Sequence, residues 1–92
     1  MQIEKIEIFS DAANRAVIRH PRRHFPGILI QGDTLHSLCR RADAVCQQIG
    51  RGSPAFEQAN ELRNTLQDYL THYKSELIES GVPLPFSDEP ST

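Results

Sequence analysis

The sequence predicts an α+β fold in which a small three-stranded sheet precedes an antiparallel helical hairpin and an extended Pro-rich C-terminal tail. Two observations predict it. Short β-branched segments separated by turn-forming residues fill residues 2–31, and apolar stripes at helical spacing fill residues 35–49 and 54–80. The length of 92 residues fits one domain, which we expect over residues 1–81, with a Pro-rich acidic tail over residues 82–92.

Three segments have the composition of β-strands. Residues 2–9 alternate imperfectly between apolar and charged side chains, which is typical of a half-buried strand. Residues 10–14 predict a turn, and residues 15–20 predict a second strand that ends before a proline. Residues 27–31 form an apolar run between glycines, which predicts a third strand buried on both faces.

Two helices follow the strands. In the first helix, of about 16 residues, Asp33 or Thr34 can accept a hydrogen bond from a first-turn amide. We expect the second helix, of about 27 residues, to be capped by Ser53 and to end at Gly81. Because the second helix is longer, its last turns need cover from the strands, the tail or another chain. Val82–Phe86 either folds back on its own domain or docks on a partner.

The predicted core lies between the sheet and the hairpin, because we expect the hairpin to pack on one face of the sheet. Its predicted members are the apolar residues that share the inner face of each element. They are Ile6, Ile8, Val17, Ile28, Ile30, Leu35, Leu38, Val45, Ile49, Phe56, Leu62, Leu66, Tyr69 and Tyr73.

The net charge of −2 conceals an uneven distribution, since residues 1–53 carry a net charge of +3 and residues 54–92 carry −5. No acidic residue occurs between Asp11 and Asp33, and we call residues 15–24 within this interval the arginine segment. Guanidinium groups suit carboxylates and phosphates, so the segment predicts a partner-binding site. Two alternatives stay open: a solvated edge that discourages aggregation, or pairing with the acidic second helix. The predicted site residues are Arg15, Arg19, Arg22, Arg23 and His24.

Several function classes lack their motifs. The sequence contains no phosphate-binding loop, no nucleophile elbow and no His or Cys spacing of a metal site. A chain this short also leaves little room for a pocket of roughly 300 Å³. We therefore expect a non-enzymatic protein with no catalytic residue, no metal and no cofactor.

The N-terminus does not resemble a secretory signal, and no apolar stretch is long enough to cross a membrane. Cys39 and Cys46 would lie about 10.5 Å apart along one helix, which is too far for a disulfide. Two reduced thiols predict a cytoplasmic protein without a membrane partner.

These observations favour a protein-binding or regulatory module. Its contacts would come from the arginine segment or from the acidic face of the second helix, formed by Glu57, Glu61, Asp68 and Glu76. One alternative is a nucleic-acid-associated protein that uses the arginine segment, although no aromatic side chains interleave the arginines as a stacking platform. Another alternative is a structural homodimer that forms through the long second helix.

Residues 22–35, with the sequence RRHFPGILIQGDTL, resemble a signature of small bacterial proteins grouped as a domain of unknown function. That signature reads Arg-Arg-Phe-Pro-Gly, three apolar residues, then Gln-Gly-Asp, Ser or Thr, and Leu. This sequence departs from it at His24, and the resemblance covers roughly residues 3–50. The resemblance implies no activity. In general build the chain is also similar to immunity proteins that neutralise toxins.

Overall fold

The computed structural model describes residues 1–12 and 15–87. A three-stranded antiparallel sheet precedes two helices, which confirms the predicted α+β fold. The elements are β1 (Glu7–Ala12), β2 (Arg15–Arg19), β3 (Gly27–Ile30), α1 (Gly32–Ile49) and α2 (Pro54–Ser80).

The chain forms two compact units, Met1–Gln31 and Gly32–Thr92, which we call the sheet unit and the helical unit. The predicted single domain over residues 1–81 and the predicted packing of the hairpin on the sheet stay predictions.

In the sheet unit, β2 lies in the centre and pairs antiparallel with both neighbours. The pairing with β3 is regular and places Leu29 opposite Ala16. The register of the pairing between β1 and β2 shifts between Ile8 and Ser10, so Phe9 is an extra residue with no partner on β2. This β-bulge increases the local twist of β1.

The first strand differs most from its prediction. β1 begins at Glu7 and continues through Ala12, so residues 10–12 are strand residues although their composition predicts a turn. Backbone pairing with Arg15–Val17 of β2 outweighs their weak strand preference. Residues 13–14 of the predicted turn lie outside the described residues. The bounds of β2 and β3 agree with their predictions to within one residue.

The ends of α2 follow the predicted capping rules. α1 begins at Gly32, so Asp33 lies inside its first turn, where the carboxylate accepts a hydrogen bond from the Thr34 backbone N–H at 2.8 Å. Ser53 caps α2, because its hydroxyl oxygen accepts a hydrogen bond from the Phe56 N–H at 3.1 Å. Gly81 ends α2 in the left-handed conformation, with φ of 70°. Both predicted ends of the long helix are therefore confirmed.

Side-chain contacts show that α1 and α2 run antiparallel. The Cys39 thiol donates a hydrogen bond to the Leu66 carbonyl at 3.3 Å. Further along α1, Asp43 forms an ion pair with Arg63, which comes earlier in α2, at 3.0 Å. Later residues of α1 therefore meet earlier residues of α2, which confirms the predicted helical hairpin.

The hydrophobic core is smaller than predicted. Among the described residues, the buried apolar side chains are Cys39, Cys46 and Leu70, all in the helical unit. Five predicted core residues are half-buried: Leu35, Leu38, Phe56, Leu66 and Tyr73. Four others, all in the helical unit, are exposed and their assignment to the core is wrong: Val45, Ile49, Leu62 and Tyr69. The remaining five are not buried within the sheet unit, and their place in a core against the hairpin stays a prediction: Ile6, Ile8, Val17, Ile28 and Ile30. Within the helical unit each helix packs against one other helix, which covers only part of a wide apolar stripe.

Both cysteines are free, as the predicted spacing on one helix requires, and both are buried. Burial raises the pKa of the Cys39 thiol, and the nearby positive charge of Lys74 opposes this shift. A buried thiol with a raised pKa is a poor nucleophile at neutral pH. Cys39 therefore serves packing.

The first residues of the tail fold back on the helical unit. Phe86 stacks on His36 of α1 with ring centroids 4.3 Å apart and an interplanar angle of 11°. The Tyr73 ring of α2 lies 6.4 Å from the same phenyl ring. This is the first of the two predicted alternatives for Val82–Phe86. The acidic residues of the tail, Asp88 and Glu89, lie outside the described residues.

Within the described parts of the chain, neither helix is long and apolar enough to cross a membrane.

Candidate functional site: an edge of the sheet unit

The strand β3 forms one edge of the sheet and is apolar throughout. The strand order β1-β2-β3 leaves one side of β3 without a neighbouring strand. Its side chains are exposed, with relative accessibilities of 65% for Ile28, 49% for Leu29 and 42% for Ile30. The sheet unit by itself therefore does not supply the predicted burial of this strand on both faces. The same short apolar composition also occurs in a strand that becomes covered only on binding.

The opposite edge of the sheet is protected. β1 carries the polar residues Glu7, Ser10 and Asp11, and its bulge at Phe9 disrupts the regular ladder. Charged side chains and bulges both hinder the addition of a further strand. β3 has neither a charge nor a bulge, so the sheet has one protected edge and one open edge.

An open groove of about 650 Å³ lies beside β3. Apolar side chains dominate it, including Ile18, Phe25 and the three apolar residues of β3, while His20, Arg23 and His24 supply polar and cationic groups. The groove is larger than the chain length predicts, because an open sheet edge with its flanking loop can form a concave surface without a thick core. A mainly apolar lining with one guanidinium and two imidazole rings suits an extended polypeptide.

Two of the predicted site residues are already paired with carboxylates. Arg19 forms a bidentate ion pair with Glu7, with a closest distance of 2.7 Å, and its guanidinium lies 5.7 Å from the Phe9 ring centroid. Arg22 pairs with Glu4 at 2.8 Å. The predicted alternative of pairing with the acidic second helix is thus wrong for both arginines. Their partners belong to the sheet unit, and these pairs reduce the positive charge of the arginine segment.

The remaining site residues lie towards the open edge. Among the described residues, no carboxylate is within ion-pair distance of Arg15 or Arg23. The backbone N–H of Arg23 donates to the His20 carbonyl at 2.9 Å, which forms the turn before β3. Arg23 and His24 line the groove, and the His24 ring makes an edge contact with Phe25 at 4.6 Å. Arg15 lies opposite Ile30, at the other end of β3.

The structure therefore divides the arginine segment into two parts. Arg19 and Arg22 stabilise the sheet unit, whereas Arg15, Arg23 and His24 are placed near both ends of the open strand. The apolar residues of β3 are the part of the site that sequence reasoning missed. The signal that could have identified them is a short strand with no charged residue, preceded by several arginines.

No other cluster in the described part of the chain suggests metal chemistry, because no group of three His, Cys, Asp or Glu side chains there could hold an ion. The histidines have other contacts. His20 accepts a hydrogen bond from the Arg22 backbone N–H at 3.2 Å, and His36 stacks on Phe86.

A protein-family model matches residues 1–86 and is described as a family of unknown function, DUF6959. The match confirms the resemblance to a domain of unknown function. It extends beyond residues 3–50 and includes the first part of the tail. No curated protein and no solved structure shows significant similarity to this chain.

Proposed function

We propose that this chain, which belongs to the DUF6959 family, is a non-enzymatic module that binds an extended protein segment along β3. The observation that carries the proposal is the open apolar edge of the sheet, next to a groove of about 650 Å³. A bound segment would add a strand to the sheet, so main-chain hydrogen bonds would supply much of the affinity. A regulatory role, such as that of an immunity-type protein, belongs to the same proposal.

Side chains on the two faces of β3 supply the specificity in this proposal. Successive strand residues point to opposite faces, so Ile28 and Ile30 share one face while Leu29 lies on the other. A bound segment would therefore need apolar residues on both faces. The two free buried thiols are typical of a reducing compartment, which supports a cytoplasmic location for this binding.

The substitution Ile28→Lys tests the proposal. It places a charge on the open edge, and burying that charge against a partner costs several kcal/mol, so we expect at least a tenfold loss of binding. Ile8→Lys is the matched control, because Ile8 is 60% exposed on the protected edge. Tagged variants are cross-linked in cells of the source organism, so that partners of micromolar affinity are retained during isolation. The stoichiometry of any protein joined to them is measured, with untagged copies of the chain counted as a partner.

We expect a stoichiometric partner with the unsubstituted chain and with Ile8→Lys, but not with Ile28→Lys. Circular dichroism of the three proteins shows whether each is folded. Equal recovery with both lysine variants, or no partner with any of the three proteins, would contradict the proposal.

The nucleic-acid alternative uses the same segment but has less support. Two of its four arginines are paired with Glu4 and Glu7, so fewer cations are available for phosphates. We expect no mobility shift of duplex DNA or single-stranded RNA at about 50 mM salt, where electrostatic binding is strong. A shift that weakens steeply with added salt, and that Arg15→Ala and Arg23→Ala abolish, would favour nucleic acid over protein as the partner.

A further inference from the structure

We infer that the segment that binds β3 is the β3 strand of a second copy of this chain. The two strands would run antiparallel about a two-fold axis and would join two sheets into one continuous sheet. This inference rests on the proposed function, because it names the partner of the same edge. It also assigns a specific register, which can be derived from the strand itself.

The register follows from symmetry and from the pleat of a strand. Directly opposed residues lie on the same face of a sheet, and a two-fold axis perpendicular to the sheet leaves each face unchanged. Residues that meet must therefore be an even number of positions apart. The two-fold axis can therefore pass beside one of two residues within β3. Either Ile28 or Leu29 lies opposite the same residue of the second copy, and we call that residue the centre of the pairing.

The backbone favours the centre at Leu29. A centre at Ile28 places Pro26 opposite Ile30, and proline has no N–H to donate to the ladder. A centre at Leu29 uses residues 27–31, all of which have an N–H, and places Gly27 opposite Gln31. The second register therefore forms a longer ladder without a missing donor.

The side chains also match in this register. Ile28 meets Ile30 of the second copy on one face, and symmetry repeats this pair. On the other face Leu29 meets its own copy. Apolar cross-strand pairs of this kind stabilise a sheet, and no charged residue of the strand meets a like charge. The pairing would thus give each of the three exposed side chains of β3 an apolar neighbour on the second copy.

The size of the interface predicts its strength. A ladder of only residues 27–31 from each copy buries less surface than the roughly 1,200–2,000 Å² that stable complexes bury. We therefore expect a dissociation constant in the micromolar range and a mass that depends on concentration.

Cysteine cross-linking tests the register. Leu29→Cys brings two thiols together at the axis, so mild copper-phenanthroline oxidation should link most of the protein as a disulfide dimer. Ile28→Cys alone and Ile30→Cys alone should link at least tenfold less. An equimolar mixture of these two variants should form the linked dimer, because Ile28 meets Ile30 of the other copy. The unsubstituted chain, whose own Cys39 and Cys46 are buried, is the control for the native thiols.

Light scattering tests the dimer without cross-linking. The mass of the unsubstituted chain and of Ile8→Lys should rise from 10.4 kDa towards twice that value with concentration, while Ile28→Lys should stay at 10.4 kDa. A monomer up to about 1 mM, or a dimer that Leu29→Cys does not link, would overturn the inference. Recovery of a different protein that Ile28→Lys abolishes would overturn the second copy as partner but leave the proposed function intact.

Discussion

Leu70→Ala is expected to lower the free energy of unfolding by about 2–5 kcal/mol. Leu70 is 5% exposed and is the largest of the three buried apolar residues. Its truncation removes apolar contacts and leaves a cavity between α1 and α2. Since small domains have a total stability of about 5–15 kcal/mol, the variant would lose a large share of it. Urea unfolding followed by circular dichroism at the helix band measures the change.

Leu62→Ala is the matched control, because Leu62 lies on the same helix and is 58% exposed. The two substitutions remove the same atoms and alter helix preference equally. We expect the control to cost less than about 1 kcal/mol, since substitutions at exposed sites have small effects. A loss as large for Leu62→Ala as for Leu70→Ala would mean that the core extends to the outer face of α2.

The second large effect is expected for Gly32→Ala at the start of α1. The Tyr73 ring lies so close to Gly32 that an added Cβ would overlap the ring atoms Cζ and Oη. Alanine is favoured over glycine in helices by about 1 kcal/mol, but displacement of a packed ring costs typically 1–3 kcal/mol. We therefore expect a net loss of up to about 2 kcal/mol, measured by the same unfolding experiment.

Two further variants isolate this contact. Gly27→Ala should be nearly neutral, because an added Cβ there meets no atom within 4 Å. In a Tyr73→Leu background, Gly32→Ala should stabilise the protein by up to about 1 kcal/mol, since the ring that it displaces is absent and the helix preference of alanine remains. A double-mutant cycle gives the coupling between the two positions. The absence of coupling would show that the cost of Gly32→Ala has another origin.

The local features of the fold could be predicted from the sequence. Ser53 and Gly81 mark the ends of α2, because capping depends on residues that are adjacent in the chain. The core could not be predicted as well. Val45 and Leu62 belong to apolar stripes of the right period, but burial depends on how many neighbours a helix has. Periodicity identifies an apolar face and does not show what covers it.

The site was predicted in part for the same reason. Composition alone identified the arginine segment. The ion pair between Arg19 and Glu7 depends on the β1–β2 register, which places these two residues opposite each other. The position of β3 at an edge depends on strand order, and no local pattern encodes that order. Which arginines stabilise the sheet and which lie near the open strand is therefore decided by strand pairing between residues far apart in the sequence.

The bulge at Phe9 has a consequence for the size of any assembly. A sheet with two open edges can add a copy at each side, and such head-to-tail growth has no natural end point. Here the single open edge of each copy becomes paired when two copies join through β3. The two outer edges of the joined sheet are then the β1 strands, which carry charges and the bulge. Under the proposed pairing, one extra residue in the first strand is what makes the assembly a closed pair instead of a fibre.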